Sequence, residues 1–116
     1  MSASLSAYDG APELIDEQEE LLRTIRSLPL RERLLRTAAL TDRYTLGAAP
    51  EDGMATQPVR SKALRLAAYD AEHGTAAGPV EPASLTTAST LDDMRTYIRQ
   101  EYAAHRARTV LKEVPK

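Results

Sequence analysis

The stretch that decides the fold runs from residue 12 to residue 46 and reads PELIDEQEELLRTIRSLPLRERLLRTAALTDRYTL. Its leucines and isoleucines recur at spacings of three and four, which is the repeat of an amphipathic helix. Pro12 fits a first helical turn, because the N–H that it lacks has no partner there. Pro29 interrupts the pattern, because an internal proline removes a helical hydrogen bond. The stretch therefore predicts two helices, from Pro12 to about Ser27 and from Leu30 to Leu46.

Each predicted helix has an apolar stripe and a charged outer face. On the outer face of the second helix we expect three arginines together, namely Arg33, Arg36 and Arg43. The charge is also segregated along the chain, since residues 1–22 hold six acids and no base, while residues 23–46 hold six arginines against two acids. The two stripes comprise Leu14, Ile15, Leu21, Leu22, Ile25 and Leu28 in the first helix, and Leu30, Leu34, Leu35, Ala38, Ala39 and Leu46 in the second.

Two further helices are predicted outward from this pair. Residues 47–57 contain Pro, Gly and polar residues and predict a loop, after which Thr56 is expected to cap a third helix that ends at Gly74. Thr90 with Asp93 resembles a capping box and predicts a fourth helix to about Glu113. The inner stripe of this fourth helix consists of Leu91, Met94, Ile98, Tyr102 and His105.

The sequence thus predicts an all-α fold with about four helices in a small bundle. The expected organisation is a disordered N-terminal segment (1–11), a three-helix region (12–74), a linker rich in Thr, Ala, Ser and Pro (75–89), and a C-terminal helix packed on the same domain (90–116). The four helices either close into a bundle or exchange and pack within a homo-oligomer.

The composition excludes several kinds of chemistry. The chain has no cysteine, so it cannot form disulfides, thiolate nucleophiles or cysteine-ligated metal sites. Its five glycines are scattered, and no Gly-rich loop for phosphate is present. With no secretory signal pattern and no apolar run of membrane-spanning length, we expect a cytoplasmic protein without a membrane partner.

Candidate catalytic and metal-ligating pairs are few. Glu101 and His105 stand four residues apart, and Asp70 and His73 stand three apart near a helix end. No third ligand or nucleophile joins either pair, so the favoured interpretation is an ordinary helix pair and a histidine at the helix dipole. We therefore expect no enzyme, and we assign no catalytic, cofactor-binding or metal residue.

A DNA-binding interpretation rests on the third helix. In a helix-turn-helix variant, its base- and phosphate-contacting residues would be Gln57, Arg60, Ser61, Lys62 and Arg65. Against it stand a loop of about nine residues, where the usual motif has three or four, and the formal net charge of −2. The arginine stripe Arg95, Arg99 and Arg106 on the fourth helix is likewise interpreted as a solvated face in preference to a phosphate contact.

Five apolar or aromatic residues fall outside the predicted stripes, and they either complete the core or mark a protein interface: Leu40, Tyr44, Tyr97, Leu111 and Val114. Three hypotheses of function follow. The first is a non-catalytic helical binding or regulatory protein that acts through a protein partner or through a second copy of itself. The second is a DNA-binding regulator that uses helix 58–73. The third is an accessory subunit of a larger enzyme.

Overall fold

The computed structural model describes residues 5–49 and 51–113, with side chains for residues 7–49 and 51–109. Its α-helices are α1 (Leu14–Thr24), α2 (Leu30–Tyr44), α3 (Gly53–His73) and α4 (Leu91–Glu113), and short 3₁₀ helices occupy Leu5–Tyr8, Ile25–Ser27 and Pro82–Ser84. These two ranges contain no β-strand, so the predicted all-α class with four packed helices is confirmed. No helix in them is both long and apolar enough to cross a membrane.

The ends of α3 and α4 show which local signals were informative. At the start of α4, Asp93 N–H donates to Thr90 Oγ1 at 3.0 Å, and Thr90 N–H donates to Asp93 Oδ2 at 3.1 Å. This is the predicted capping box, in which the two residues satisfy amides that have no partner inside the helix. Gly74 ends α3 with φ +65°, a left-handed conformation that glycine adopts without steric cost. Both of these predictions are confirmed.

The start of α3 differs from the prediction. The capping residue is Asp52, whose carboxylate accepts a hydrogen bond from Ala55 N–H at 3.2 Å. Thr56 is buried one turn inside the helix, where its hydroxyl donates to the Asp52 carbonyl at 2.9 Å. Pro58 therefore lies within α3 rather than in its first turn. A proline so near the N-terminus costs a single backbone hydrogen bond, which leaves the helix free to begin earlier.

α1 and α2 are also shorter than the sequence predicts. α1 begins at Leu14 and gives way to a 3₁₀ turn at Ile25, and α2 ends at Tyr44 instead of Leu46. Thr45 is the residue that follows the last turn of α2, and its hydroxyl donates to the Thr41 carbonyl at 2.8 Å. No side chain caps the start of α1 or α2 by a hydrogen bond.

The core lies between α2, α3 and α4, while α1 packs on the outside of α2. Leu21 is the apolar residue of α1 that is buried, whereas Ile15 and Leu22 remain 63% and 65% exposed. The predicted apolar stripe of α1 is therefore covered along one edge only. The fully buried apolar side chains of the core include Leu35, Ala38, Val59, Ala63, Leu66, Met94 and Ile98.

Two segments expected to be irregular pack against this core. In the N-terminal segment, the ring of Tyr8 lies against the ring of Tyr102, with centroids 5.3 Å apart. In the segment 75–89, Leu85 is buried and Val80 packs on the core. The backbone N–H of Ala77 donates to Glu101 Oε1 at 2.9 Å. Side chains of α4 thus hold both segments in place. Amino-acid composition does not indicate these contacts, because they involve residues far away in the sequence.

Candidate functional site

Asp42 in α2 is fully buried and joins two arginines of α4. Arg99 Nε donates to Asp42 Oδ2 at 2.7 Å, and Arg95 forms an ion pair with Oδ1. The Tyr8 hydroxyl donates to the same carboxylate. Burial, together with the neighbouring Asp42 charge, raises the pKa of Tyr8 above its ordinary value, so this phenol stays protonated. The interpretation of Arg95 and Arg99 as a solvated face is wrong, because both are buried against a partner in another helix.

A second buried cluster links α2, α3 and α4 through Arg31. The Arg31 guanidinium donates to Asp70 at 2.8 Å and to Glu101 at 2.6 Å. The hydroxyls of Thr75 and Tyr97 donate to Asp70 at 2.6 and 2.5 Å. Burial opposes ionisation of Asp70, but hydrogen bonds from Arg31, Thr75 and Tyr97 outweigh it and hold the pKa of Asp70 below its usual value.

A third cluster lies between α1 and the rest of the molecule. Glu17 is buried and accepts a hydrogen bond from the Tyr102 hydroxyl at 2.6 Å. Its other oxygen forms an ion pair with Arg43, which also donates to the Pro12 carbonyl at 2.8 Å. Arg43 therefore belongs to a paired cluster and not to the free outer face that the sequence predicted. Arg106 donates to the Gly10 carbonyl at 2.8 Å.

These clusters join the helices to one another. Asp42, Asp70, Glu17 and Glu101 each have a cationic partner, and removing a partner from a buried pair is strongly destabilising. Each of the four carboxylates accepts hydrogen bonds from several donors.

The histidine pairs singled out in the sequence are not brought together as sites. Asp70 points into the Arg31 cluster, while His73 stacks on Tyr69 with ring centroids 4.0 Å apart. His105 is half-buried, and this burial lowers its pKa below the ordinary value of a histidine, with Glu32 opposing the shift. Within the described residues, no group of three or more His, Asp or Glu side chains is placed to hold a metal ion.

A groove between α2 and α3 brings together three cations that form no ion pair among the described side chains. The groove has a volume of about 210 Å³, and its apolar floor is made by Leu30 and Leu34. Leu30 is 49% exposed, and Leu34 is partly buried against the core. Three cations border this floor, namely Arg33 from α2 and Lys62 and Arg65 from α3, and Thr37 completes the lining.

The electrostatics of this groove contrast with those of the buried clusters. None of its three cations forms an ion pair with a carboxylate among the side chains that the structure describes. Arg33 Nε is buried without a hydrogen-bond partner. A buried donor without a partner costs free energy. We name the surface formed by Leu30, Arg33, Leu34, Thr37, Lys62 and Arg65 the basic groove.

The residues proposed for DNA contact are divided over the surface of α3. Lys62 and Arg65 border the basic groove, whereas Gln57 and Ser61 are exposed beside it. Arg60 instead donates to the Ser89 carbonyl at 2.8 Å and lines a separate cavity of about 670 Å³ at the start of α4. The structure therefore brings two of the five together, and it joins them to residues of α2.

The residues singled out for a protein interface are also divided. Leu40 and Tyr97 are 7% and 0% exposed, which places them inside the protomer. Tyr44 is 53% exposed, and its hydroxyl donates to Gln18 of α1. Leu111 belongs to α4 but its side chain lies outside the described ones, and Val114 lies outside the described residues altogether.

Sequence reasoning missed the α2 half of the basic groove. Arg33 was grouped with Arg36 and Arg43, but these two face Glu32 at 3.8 Å and Glu17, respectively. Which of the three arginines lacks an ion pair among the described side chains depends on residues that are close in space, and the spacing within α2 does not indicate them. Leu30 and Leu34 were assigned to the core, and no pattern within α2 distinguishes a leucine on the core from one at its rim.

No protein-family model, no curated protein and no solved structure matches this chain.

Proposed function

We propose that the protein is a non-catalytic binding protein that holds an acidic, amphipathic helix of a protein partner in the basic groove. The observation that carries this proposal is the set of three cations that have no carboxylate partner among the described side chains and that surround a floor of two leucines. An anionic partner satisfies the cations, and its apolar side chains cover the leucines. Both contributions are needed, because exposed ion pairs alone stabilise a complex by only about 0–1 kcal/mol.

The shape of the groove favours a helix as the partner. It runs along two packed helices, and its volume of about 210 Å³ accommodates a few side chains rather than a folded domain. An amphipathic helix places apolar side chains at spacings of three, four and seven residues on one face and flanks them with charges. Helix-in-groove recognition uses such anchors. If the partner is a catalytic subunit, the protein is the accessory subunit that the sequence also suggests.

The same groove is less suited to duplex DNA. A phosphate backbone can satisfy Lys62 and Arg65, but it offers little apolar surface to cover Leu30 and Leu34. Of the remaining members of the proposed DNA set, Arg60 is already engaged by the Ser89 carbonyl. DNA binding is therefore treated as an alternative outcome of the test that follows.

The test uses fluorescence anisotropy with defined probes. The first probe is a labelled peptide of about 18 residues, long enough to form a helix, with leucines at helical spacing and glutamates beside them. The second replaces every glutamate by lysine, and the third is a random DNA duplex. Each probe is titrated with the full chain and with two variants. Lys62→Glu with Arg65→Glu reverses the groove charge, and Arg108→Glu is the control, because Arg108 is exposed on α4.

We expect the acidic peptide to bind, the basic peptide not to bind, and the groove variant to weaken binding at least tenfold while the control does not. If the duplex binds instead, with an affinity that falls steeply between about 50 and 200 mM salt, the DNA alternative replaces the proposal. If neither the acidic peptide nor the duplex binds, the basic groove is not a recognition site for either class of partner.

A further inference from the structure

α1 carries an apolar edge that nothing in the described protomer covers. Ile15 and Leu22 are 63% and 65% exposed. They stand seven residues apart, so at 100° per residue they lie within about 20° of each other on the helix. Glu17 and Leu21, on the buried side of α1, are the residues that face the bundle. An exposed apolar edge rimmed by polar residues is typical of a surface that meets another protein.

The charges beside this edge are the opposite of those in the basic groove. Asp16 and Glu19 are exposed on α1. Glu19 lies about 50° around the helix from the line of Ile15 and Leu22, and Asp16 about 110°. Arg23, the basic residue in the last turn of α1, lies about 90° from that line, on the same side as Asp16. The first two turns of the edge are therefore acidic. We name the surface formed by Ile15, Asp16, Glu19 and Leu22 the acidic edge.

We propose that the helix bound in the basic groove is α1 of a second copy of this chain. This inference rests on the proposed function of the groove and adds the identity of the occupant. Each copy has one acidic edge and one basic groove, so two copies related by a two-fold axis make the same contact twice. The doubled contact strengthens an association that one helix in one groove supports only weakly.

The dimensions of the two surfaces agree. Ile15 and Leu22 are seven residues apart on α1. Leu30 and Thr37, at the two ends of the α2 side of the groove, are also seven residues apart. At about 1.5 Å per residue, each pair spans about 10.5 Å along its helix. The two apolar anchors can therefore reach along the length of the groove. With this placement, Glu19 is the acid that lies closest to the anchors and to the cations that border the groove, and Asp16 lies farther around the helix on the same side.

The acidic edge and the basic groove also open to the same side of the molecule. Tyr44 of α2 contacts Gln18 of α1 beside the acidic edge. Tyr44 stands eleven residues from Arg33 and seven from Thr37, so at 100° per residue it shares their face of α2 within about 20°. A two-fold axis near this face of α2 therefore brings each edge to the groove of the other copy. Within one copy this contact cannot form, because Glu17 fixes α1 to Arg43 and Tyr102.

The experiment is sedimentation velocity of the full chain over a range of concentrations, with two charge-reversed variants. The groove variant is Lys62→Glu with Arg65→Glu, and the edge variant is Asp16→Lys with Glu19→Lys. We expect the unmodified chain to sediment as a dimer, and each variant alone to be a monomer at concentrations at least tenfold higher. Arg108→Glu is the control and should dimerise normally.

The decisive sample is an equal mixture of the two variants. In a mixed pair, the acidic edge of the groove variant meets the basic groove of the edge variant, and the reversed edge meets the reversed groove. Both contacts regain opposite charges, so the mixture should form dimers although neither variant does so alone. A change of fold does not produce this rescue, and circular dichroism of each variant checks that the helices are retained.

Two kinds of result overturn the inference. A dimer that persists in both variants, or a mixture that stays monomeric, means that the copies do not meet through these surfaces. An unmodified chain that is monomeric while the acidic peptide still binds in the groove rejects self-association alone and leaves the proposed function in place. A chain that neither dimerises nor binds the peptide rejects both.

Discussion

The arginines of this protein lie in two regions that differ in whether a carboxylate neutralises the charge. On α4, Arg95 and Arg99 are 9% and 6% exposed, and both bind Asp42. In the basic groove, Arg33 has a buried Nε without a partner. The difference shows that a run of basic residues on a helix does not define its role. A cation paired with a buried carboxylate supports the fold, whereas a cation that lacks one is available for a partner.

The two regions also differ in how much stability the protein loses when a charge is removed. Two buried charges attract strongly only while both are present, and removal of one leaves the other desolvated and unsatisfied. Lys62 and Arg65 border an open groove and pair with no carboxylate among the described side chains, so their loss exposes no new unpaired group. We therefore expect substitutions in the buried clusters to lower the free energy of unfolding, and substitutions in the basic groove to lower binding alone.

The largest effect is expected for Asp42→Asn. The substitution keeps the shape of the side chain but removes the charge that Arg95, Arg99 and the Tyr8 hydroxyl share. Breaking a buried ion pair costs about 3–5 kcal/mol, and urea denaturation followed by circular dichroism measures it. The control is Asp9→Asn, at an exposed position. Equal stability of the two variants would show that the Asp42 cluster does not hold α4 to α2.

A smaller loss of stability is expected for Glu17→Gln. Gln can still accept the hydrogen bond from Tyr102, but the ion pair with Arg43 is lost. Because the Arg43 side chain is 13% exposed, water can partly replace the carboxylate, and we expect a cost of about 1–3 kcal/mol, the range of a hydrogen bond to a charged group. Glu20→Gln on the same helix is the matched control. A cost as large as that of Asp42→Asn would contradict the ranking by burial.

The pH dependence of stability is expected to be smaller again, and it involves His105. Since burial lowers the pKa of His105 in the folded protein, the unfolded chain binds this proton more readily. Stability is therefore fully present above the unfolded value of about 6.5 and falls as the pH drops below it. The contribution of Asp70, whose pKa is also lowered, is lost only as the pH drops below its unfolded value of about 3.9.

Thermal unfolding of His105→Gln between about pH 7.5 and 5 tests this prediction. The variant should lose less stability on acidification than the unmodified chain. Identical pH profiles for the two proteins would show that His105 is not protonated preferentially in the unfolded state.

The smallest effect on stability is expected in the basic groove itself. Lys62→Glu with Arg65→Glu removes no ion pair among the described side chains, and surface changes of this kind usually alter the free energy of unfolding by less than about 0.5 kcal/mol. Chemical denaturation measures the stability and anisotropy measures peptide binding on the same sample. A large loss of stability would mean that these cations belong to the framework, and the contrast between the two regions would disappear.

Local signals in the sequence predicted much of the secondary structure. The spacing of Thr90 and Asp93 and the position of Gly74 predicted two helix ends correctly, because each signal acts within one turn of the chain. Pro58 misplaced the start of α3, since Asp52 caps the helix from farther upstream. Proline often occupies the first turn of a helix, but in α3 the Asp52 carboxylate caps the helix before Pro58 and determines where it starts.

Contacts between helices could not be predicted in the same way. The partner of Arg99 is Asp42, which stands 57 positions away, and nothing in the spacing of either residue indicates the other. The candidate site shows the same limit. Lys62 and Arg65 were recognised as a possible binding pair from α3 alone, but their joining to Arg33, Leu30 and Leu34 depends on how α2 packs beside them.

The position of α4 in the three buried clusters has a consequence for how the chain folds as it is made. Glu17, Asp42 and Asp70 precede α4 in the sequence, and each has a partner on it, in Tyr102, Arg99 and Tyr97 respectively. Until α4 has left the ribosome, Asp42 lacks both of its arginines, while Glu17 and Asp70 have their cations on α2 but lack the tyrosine hydroxyls of α4. We therefore expect α1, α2 and α3 to remain loosely associated during synthesis, and cooperative folding to begin only when α4 is released.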